Sequence, residues 1–208
     1  MSTVNVPTVL TIGHSNHPIE RFVELLRKHG VTAVADVRSA PYSRHQPQFN
    51  KDLLQRSLKD AGIAYIFLGK ELGARSEDRS CYEKGRVQYR RLAQTDSFRR
   101  GIERVRKGAG EYRVALMCAE KEPLDCHRTL LVSRALAREG VSVAHILADG
   151  RLEVHHDAMI RLLDVVGLDA KDMFQNPDEL IEEACAKQEE RVAYVDEQLA
   201  RETSEIKQ

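Results

Sequence analysis

The sequence predicts an α/β fold, with a mostly parallel, doubly wound (Rossmann-like) sheet of about five strands, helices on both faces and a C-terminal amphipathic helix. Three observations predict this fold. Five short apolar runs recur along the chain, helical patterns separate them, and the connections are long enough for crossovers between parallel strands. Continuous apolar runs are typical of parallel strands that are buried on both faces. The runs cover residues 8–12, 32–37, 64–68, 113–118 and 141–147.

The segments between the runs carry signals for the start and end of helices. In the first segment, Pro18 suits an early helical position, apolar side chains recur at helical spacing, and Gly30 ends the helix. Asn50 is a predicted N-cap of the second helix. The predicted helices cover residues 18–30, 50–62 and 98–105, and a fourth begins near Asp125.

The sequence pattern changes near residue 169, from alternating strands and helices to a helical pattern rich in charged residues. Before that point, Asp149-Gly150 predicts a turn that leads to a short last strand over residues 152–154. After it, apolar residues are spaced among many charged ones in the pattern of a long amphipathic helix. We therefore predict an α/β domain over residues 1–168 and a helical extension over residues 169–208. The extension packs on the domain or on a partner chain, and a homodimer is compatible with the second arrangement.

Composition limits the partners and the location of the protein. Lys+Arg and Asp+Glu both number 32, so the net charge is zero and the whole molecule creates no strong attraction for nucleic acid or membranes. No run approaches the roughly 20 apolar residues of a membrane span, and the N-terminus has no leader pattern, so we expect a cytoplasmic protein. Four cysteines are too few and too scattered for a disulfide framework, which directs attention to their thiol chemistry.

Polar motifs follow four of the predicted strands. They occupy residues 14–16, 38–44, 69–73 and 118–128, and the third is a loop with a glycine at each end. Because the carboxyl ends of parallel strands and the starts of the following helices meet at one edge of the sheet, we expect a single site there.

The 118–128 segment carries the first candidate nucleophile. Asp125 is predicted to cap the following helix, which places Cys126, His127 and Arg128 in its first turn. Free N–H groups and the helix dipole favour an anion at that position. A cysteine next to a histidine and an arginine there is expected to have a lowered pKa and a larger thiolate fraction, so Cys126 is the leading candidate.

The same segment offers alternatives. Cys118 ends a buried strand, where it is a second nucleophile candidate or a small core residue. Glu120 and His127 are candidates to move protons. Cys118, Cys126 and His127 also offer three zinc ligands, although their spacing fits structural zinc sites poorly. We therefore expect no cofactor and keep zinc as an alternative.

Candidate binding residues lie in two other loops. Arg38 and Arg44 suit bidentate capture of a phosphate or a carboxylate. His14 and Ser15 follow the first strand, where they suit either ligand binding or capping of the next helix. These four residues extend the predicted site beyond the cysteine segment.

Residues 86–107 are rich in arginine, with aromatic residues among them. Arg86, Arg90 and Arg104 are the candidates for a nucleic-acid groove. The alternative is a solvated helix face that nearby acids balance, and the zero net charge favours it. Nucleic acid is thus an alternative partner, whereas a small anionic or nucleotide-like ligand is the expected one.

Three groups of residues resemble the motifs of the DUF488 family, prokaryotic proteins named for their unknown function. They are Thr11-Ile12-Gly13-His14-Ser15, Asp36-Val37-Arg38 with Pro41-x-Ser43-Arg44, and Cys118-Ala119-Glu120 followed by Cys126-His127-Arg128. The resemblance covers about residues 8–157 and implies no activity. It implies that the family's motif positions are occupied by His14, Arg38, Ser43, Arg44, Cys118, Glu120, Cys126, His127 and Arg128.

The leading hypothesis is an enzyme that acts on a small anionic or nucleotide-like substrate, such as a cysteine-dependent hydrolase or transferase. Redox chemistry between the two cysteines of the segment is another open reaction class. In this hypothesis Arg38 and Arg128 bind the anion. Either Cys126 or Cys118 is the nucleophile, and either Glu120 or His127 transfers the proton. Two other hypotheses are a non-catalytic nucleotide-binding or nucleic-acid-binding module and a zinc-stabilised structural protein.

Overall fold

The computed structural model describes residues 8–169 and 176–205. In this part of the chain, six strands form the main sheet and two form a hairpin. The strands are β1 (Thr8–Gly13), β2 (Ala33–Asp36), β3 (Ala64–Phe67), β4 (Tyr82–Glu83), β5 (Arg86–Val87), β6 (Val114–Cys118), β7 (Ser142–Ile146) and β8 (Leu152–Val154). All five predicted strands are present, and the predicted short strand after the Asp149-Gly150 turn is β8.

The main sheet has the order β3-β2-β6-β1-β7-β8. The first five strands are parallel, and β8 pairs antiparallel with β7. The mostly parallel α/β prediction is confirmed, and the antiparallel strand that makes the sheet mixed is the predicted short one. The strand order of the sheet departs from the Rossmann order, because β6 lies between β1 and β2, which are neighbours in that fold. The carboxyl end of β6 is therefore flanked by those of β1 and β2.

Helices cover both faces of the sheet, as predicted. They are α1 (Ile19–Lys28), α2 (Lys51–Asp60), α3 (Gly69–Leu72), α4 (Tyr89–Leu92), α5 (Asp96–Ala109), α6 (Arg134–Arg138), α7 (His155–Val166), α8 (Pro177–Val192) and α9 (Glu197–Glu205). Successive strand residues point to opposite faces. Leu10 of β1 packs in one cluster with Phe22 of α1 and Leu54 of α2, whereas Val9 packs in the other with Phe98 of α5.

The helix predicted to begin near Asp125 begins later. Residues Pro123–Asp125 form a separate 3-10 turn, which the Cys126 N–H closes by donating to the Pro123 carbonyl. Cys126 is extended, with φ −139° and ψ 139°, and the chain then enters a π-helical turn, Arg128–Ser133, that continues into α6. The Asp125 carboxylate accepts a hydrogen bond from the Gln188 side chain at 2.9 Å. Asp125 is therefore not the helix cap.

Two other local predictions differ from the structure. Asn50 precedes α2, but its side-chain oxygen accepts from the backbone N–H of Ser43 at 2.7 Å and makes no cap. Residues 69–73 are helical through Leu72 instead of a loop. A Cβ at Gly69 would lie 2.0 Å from the Arg38 carbonyl oxygen, so this glycine allows close contact between two segments of protein backbone.

The C-terminal extension consists of two helices instead of the single predicted one. Leu180, Ala184 and Cys185 of α8 are buried in the cluster that contains the side chains of α5, so this helix packs on the α/β domain. The predicted ranges 1–168 and 169–208 also include residues 1–7, 170–175 and 206–208, which lie outside the described residues. Among the residues described, every helix is too short or too polar to cross a membrane.

Candidate active site

A cavity of about 240 Å³ opens at the carboxyl edge of the sheet. Five predicted site residues line it: Arg38, Cys118, Glu120, Cys126 and His127. They meet because β2 and β6 are adjacent and parallel, so the loops that follow the two strands emerge side by side. A larger cleft of about 580 Å³ between α1 and α2 is lined by aliphatic and charged surface residues. The thiols and histidine make the smaller cavity the candidate active site.

Close packing of β1 against the loop after β6 shapes this edge. A Cβ at Gly13 would lie 1.8 Å from the carbonyl oxygen of Glu120, so only glycine fits there. The His14 N–H donates to the Cys118 carbonyl at 2.9 Å and extends the strand pairing into the loop. The backbone that leads into Glu120 is thereby fixed next to the thiols.

The sulfur of Cys126 lies within 4.8 Å of the Cys118 sulfur, and three further groups contact it. The Glu120 Oε2 lies 3.0 Å from it, the His127 Nδ1 lies 3.8 Å away, and the Arg128 N–H donates to it at 3.4 Å. The sulfur of Cys118 lies 3.7 Å from the same His127 nitrogen. On the other side of the ring, Nε2–H donates to the carbonyl of Val37 at 3.0 Å, which leaves Nδ1 facing the two sulfurs.

Arg128 supplies a buried positive charge behind the cysteine. Its side chain is fully buried and donates to the carbonyls of Glu120 at 2.7 Å and Lys121 at 3.3 Å. In the described part of the chain no carboxylate forms an ion pair with it, and its Nε has no hydrogen-bond partner. A buried cation requires a nearby anion. Against the effect of burial, the charge of Arg128 acts to lower the pKa of two thiols, Cys126 and Cys118.

The pKa shifts of the cluster follow from these contacts. Burial alone raises the pKa of the Cys126 thiol, but a hydrogen bond from Cys118 and the charges of Arg128 and His127 outweigh it and bring this pKa well below 9.0. Burial and the hydrogen bond to Cys126 raise the pKa of Cys118. Burial and the negative charge on Cys126 also raise the pKa of Glu120. The arrangement therefore favours a thiolate at Cys126 beside a protonated carboxyl group.

The pKa of His127 supports the same charge state. Burial lowers this pKa, but the hydrogen bond and the negative charge of Cys126 act more strongly, and the result lies above 6.5. A thiolate and an imidazolium at this distance stabilise each other. These pKa shifts favour an ion pair between the Cys126 thiolate and the His127 imidazolium, and both residues line the cavity.

Arg38 lines the cavity with its charge already paired. Its guanidinium donates to both carboxylate oxygens of Asp36, at 2.9 and 2.7 Å, and to the carbonyl of Phe49 at 2.8 Å. His14 stacks on Phe49, and its Nε2 accepts from Arg38 at 3.3 Å. Burial lowers the pKa of His14 to about 4, so the ring is neutral and accepts this bond. His14 therefore positions Arg38 and does not line the cavity.

The other predicted residues lie away from the cavity. Ser15 bonds to its neighbour Asn16 through its hydroxyl, the Ser43 hydroxyl accepts from the backbone of its own turn, and Arg44 is exposed. Arg128 lies behind the cavity wall, because the carbonyls of the 118–128 loop take up its guanidinium. Neither Arg44 nor Arg128 lines the cavity.

Nearby acids balance the basic stretch at residues 86–107. Arg104 pairs with Glu71, and the neighbouring Arg106 pairs with Glu139 at 2.8 Å. Arg86 lies on the β4–β5 hairpin, Arg90 on α4 and Arg104 on α5. The three candidates for nucleic-acid binding therefore lie on separate elements, and one of them is paired.

Sequence reasoning missed several residues of the cavity: Ser39, Ala40, Ala74, Arg75, Tyr89, Asp125, Val192 and Tyr194. Arg75 follows the third strand closely, so the rule that polar residues cluster after strands could have found it. Val192 and Tyr194 come from the C-terminal extension, and Tyr89 from α4. No local pattern marks these three.

Three of the side chains could also hold a metal ion. The ligand atoms of Cys118, Cys126 and His127 all lie within 4.8 Å of one another. Two thiolates and an imidazole form a donor set that Zn²⁺ accepts. The hydrogen bond from the far side of His127 to Val37 also resembles those that orient histidine ligands.

A family model described as "Domain of unknown function DUF488" matches residues 18–135. No curated protein and no solved structure matches the chain. The matched segment contains Arg38, Cys118, Glu120, Cys126 and His127, whereas Val192 and Tyr194 lie beyond it.

Proposed function

The chain belongs to the DUF488 family, and we propose that it is an enzyme that uses Cys126 as a nucleophile on a small anionic substrate. One observation carries the proposal: a carboxyl group, an imidazole and a backbone N–H converge on a single sulfur at the wall of a cavity. These partners stabilise a thiolate, which is the nucleophilic form of cysteine. Arg128 supplies the charge that compensates it.

The reaction class is hydrolysis or group transfer through a covalent cysteine intermediate. The Cys126 sulfur forms a bond to the electrophilic centre, and the leaving group departs with its bonding electron pair and takes the proton of the Glu120 carboxyl. Water or an acceptor hydroxyl then attacks the same centre and breaks its bond to sulfur, while its proton returns to Glu120. The raised pKa of Glu120 suits this role, because an acid catalyst must be protonated near neutral pH.

The size of the cavity favours a small substrate. Its volume of about 240 Å³ lies below the roughly 300–1,000 Å³ that is usual for ligand pockets. A small phosphate ester, sulfate ester or carboxylic ester fits this volume better than a whole nucleotide does.

Intact-mass analysis with small anionic electrophiles tests the proposal. We expect p-nitrophenyl phosphate or a comparable activated ester to be turned over, with a transient adduct on Cys126, and we expect Cys126→Ser to abolish both. Cys81→Ala is the matched control, since Cys81 is also buried but does not line the cavity. Equal turnover by the Cys126→Ser variant, or the absence of an adduct with every ester, would refute the proposal.

Zinc binding is a second candidate function, favoured by the spacing of the ligand atoms. Distances of 3.7 and 3.8 Å from the two sulfurs to the His127 nitrogen are close to the roughly 3.5–3.8 Å expected between tetrahedral zinc ligands. Metal analysis of the purified protein separates the two functions. Stoichiometric zinc, with loss of the fold in a chelator, would replace the nucleophile proposal. Substoichiometric metal and an unchanged melting temperature would oppose the zinc function.

A further inference from the structure

The sequence predicts that three arginines bind an anion, and none of them is placed to do so. Arg44 does not line the cavity, and the other two are already engaged. The Arg38 guanidinium is paired with Asp36 at 2.7 Å and is 5 % exposed. Arg128 is fully buried and bonded to backbone carbonyls. An anionic substrate therefore needs another cation in the cavity wall.

Arg75 has the properties that the other two arginines lack. It lines the cavity and is exposed, and among the residues described its guanidinium forms no ion pair. Its backbone N–H donates to the Ser39 hydroxyl at 3.0 Å, which ties it to the loop after β2. Arg75 is thus a cation at the cavity that has no ion-pair partner in the described part of the chain.

Tyr194 holds the Arg75 side chain in place. The guanidinium carbon lies 4.5 Å from the centroid of the Tyr194 ring, a cation–π contact. Such a contact restricts the guanidinium to a plane over the ring while its edge N–H groups stay available for a ligand. Tyr194 also lines the cavity, so the pair forms part of one wall.

Backbone hydrogen bonds to the β4–β5 hairpin hold Tyr194 in position. The Val87 N–H donates to the Tyr194 carbonyl at 3.0 Å, and the Asp196 N–H donates to the Gly85 carbonyl at 2.7 Å. Gly85 has φ +77°, and a Cβ there would lie 2.6 Å from Ala200. The hairpin and the extension therefore fit together closely, which fixes the Tyr194 backbone.

We infer that Arg75, held by Tyr194, forms the subsite that binds the anionic group of the substrate, a phosphate, sulfate or carboxylate. The inference rests on the proposed function, because it assigns the part of the cavity that recognises the charge of that substrate. The residue that sets the position of Arg75 lies in the extension, outside residues 18–135 that the family model matches. The acidic residue Asp125 also lines the cavity, so removal of Arg75 leaves a wall that is less favourable to anions.

A pair of alkylating agents tests the inference. Iodoacetate and iodoacetamide have the same reactive carbon, but only iodoacetate is an anion. We expect Arg75→Gln to lower the ratio of their rates at Cys126 by roughly tenfold, with little change in the iodoacetamide rate, because one nearby charge is removed. Tyr194→Phe keeps the ring and should keep the ratio, whereas Tyr194→Leu should lower it. Arg56→Gln is the matched control, an exposed arginine on α2. An unchanged ratio in Arg75→Gln would overturn the inference.

Inorganic phosphate provides a second readout that needs no reactive thiol. We expect phosphate to raise the melting temperature of the wild type and of Arg56→Gln, and to raise that of Arg75→Gln less, since a ligand stabilises the state that binds it. Equal stabilisation of the wild type and Arg75→Gln, or none in either, would overturn the inference. Phosphate binding that depends on Arg75, together with a Cys126 that resists iodoacetamide, would support the subsite and refute the nucleophile.

Discussion

Cys126 and Cys185 have the same exposure but opposite surroundings. Both side chains are about 1 % exposed. Cys185 lies in the core beneath α8, where its sulfur contacts the sulfur of Met159 at 3.8 Å, and burial raises its pKa to about 11. The sulfur of Cys126 instead meets a carboxyl group, an imidazole and a backbone N–H, and its pKa is lowered.

The difference shows that burial does not decide the reactivity of a cysteine in this protein. Burial raises the pKa of both thiols, since it disfavours the charged form. Only at Cys126 do neighbouring positive charges and hydrogen bonds reverse the effect. Substitutions that remove one of the two thiols, or that make the surroundings of Cys126 more like those of Cys185, test this difference.

Removal of Cys126 should have the largest effect. We expect Cys126→Ser to lower the alkylation rate of the native protein at pH 7 by roughly a thousandfold or more, because a thiol with a pKa near 11 is only about one ten-thousandth thiolate at that pH. Peptide mass spectrometry after iodoacetamide treatment locates the label. Rapid labelling of Cys118 in this variant would transfer the nucleophilic role to that residue.

Substitution of the imidazole should have an intermediate effect. His127→Gln keeps a polar side chain near the Val37 carbonyl but removes the positive charge beside the sulfur. We expect the alkylation rate of Cys126 at pH 7 to fall by about 10- to 100-fold, because the positive charge of His127 helps to lower the pKa of this thiol. The circular dichroism spectrum serves as the control for folding. A rate within a factor of two of the wild type would assign the low pKa to Cys118 and Arg128.

Removal of the core thiol should have the smallest effect. Cys185→Ala leaves a small void beside Met159, and we expect a loss of about 1 kcal/mol in the free energy of unfolding. The alkylation rate at Cys126 should stay the same, since Cys185 does not line the cavity. Urea denaturation measures the first quantity and iodoacetamide the second. A changed alkylation rate would show that the two regions are coupled.

Part of the site could be predicted from the sequence. Cys118, Glu120, Cys126 and His127 belong to one segment, and strand-end reasoning places that segment at the edge of the sheet. The fold class and all five parallel strands follow from the apolar runs. The position of β6 between β1 and β2 does not, because strand order depends on how the whole sheet assembles.

Contacts between distant parts of the chain could not be predicted. Arg128 was expected to face a ligand, but the close approach of the loop to Gly13 offers its guanidinium two carbonyls instead. Arg75 and Tyr194 are far apart in sequence and meet only because the extension packs on the hairpin. The single long helix predicted for the extension was wrong, since the chain leaves α8 after Val192 and begins α9 at Glu197.

The pH dependence of Cys126 alkylation tests the central claim most directly. A lowered pKa means that the thiolate persists as the pH falls below 9.0, so we expect the iodoacetamide rate to fall much less than tenfold for the first pH unit below 9. Cys185 in the same samples should stay unlabelled while the protein is folded. A Cys126 rate that drops about tenfold for each pH unit below 9, as an ordinary thiol requires, would contradict the account.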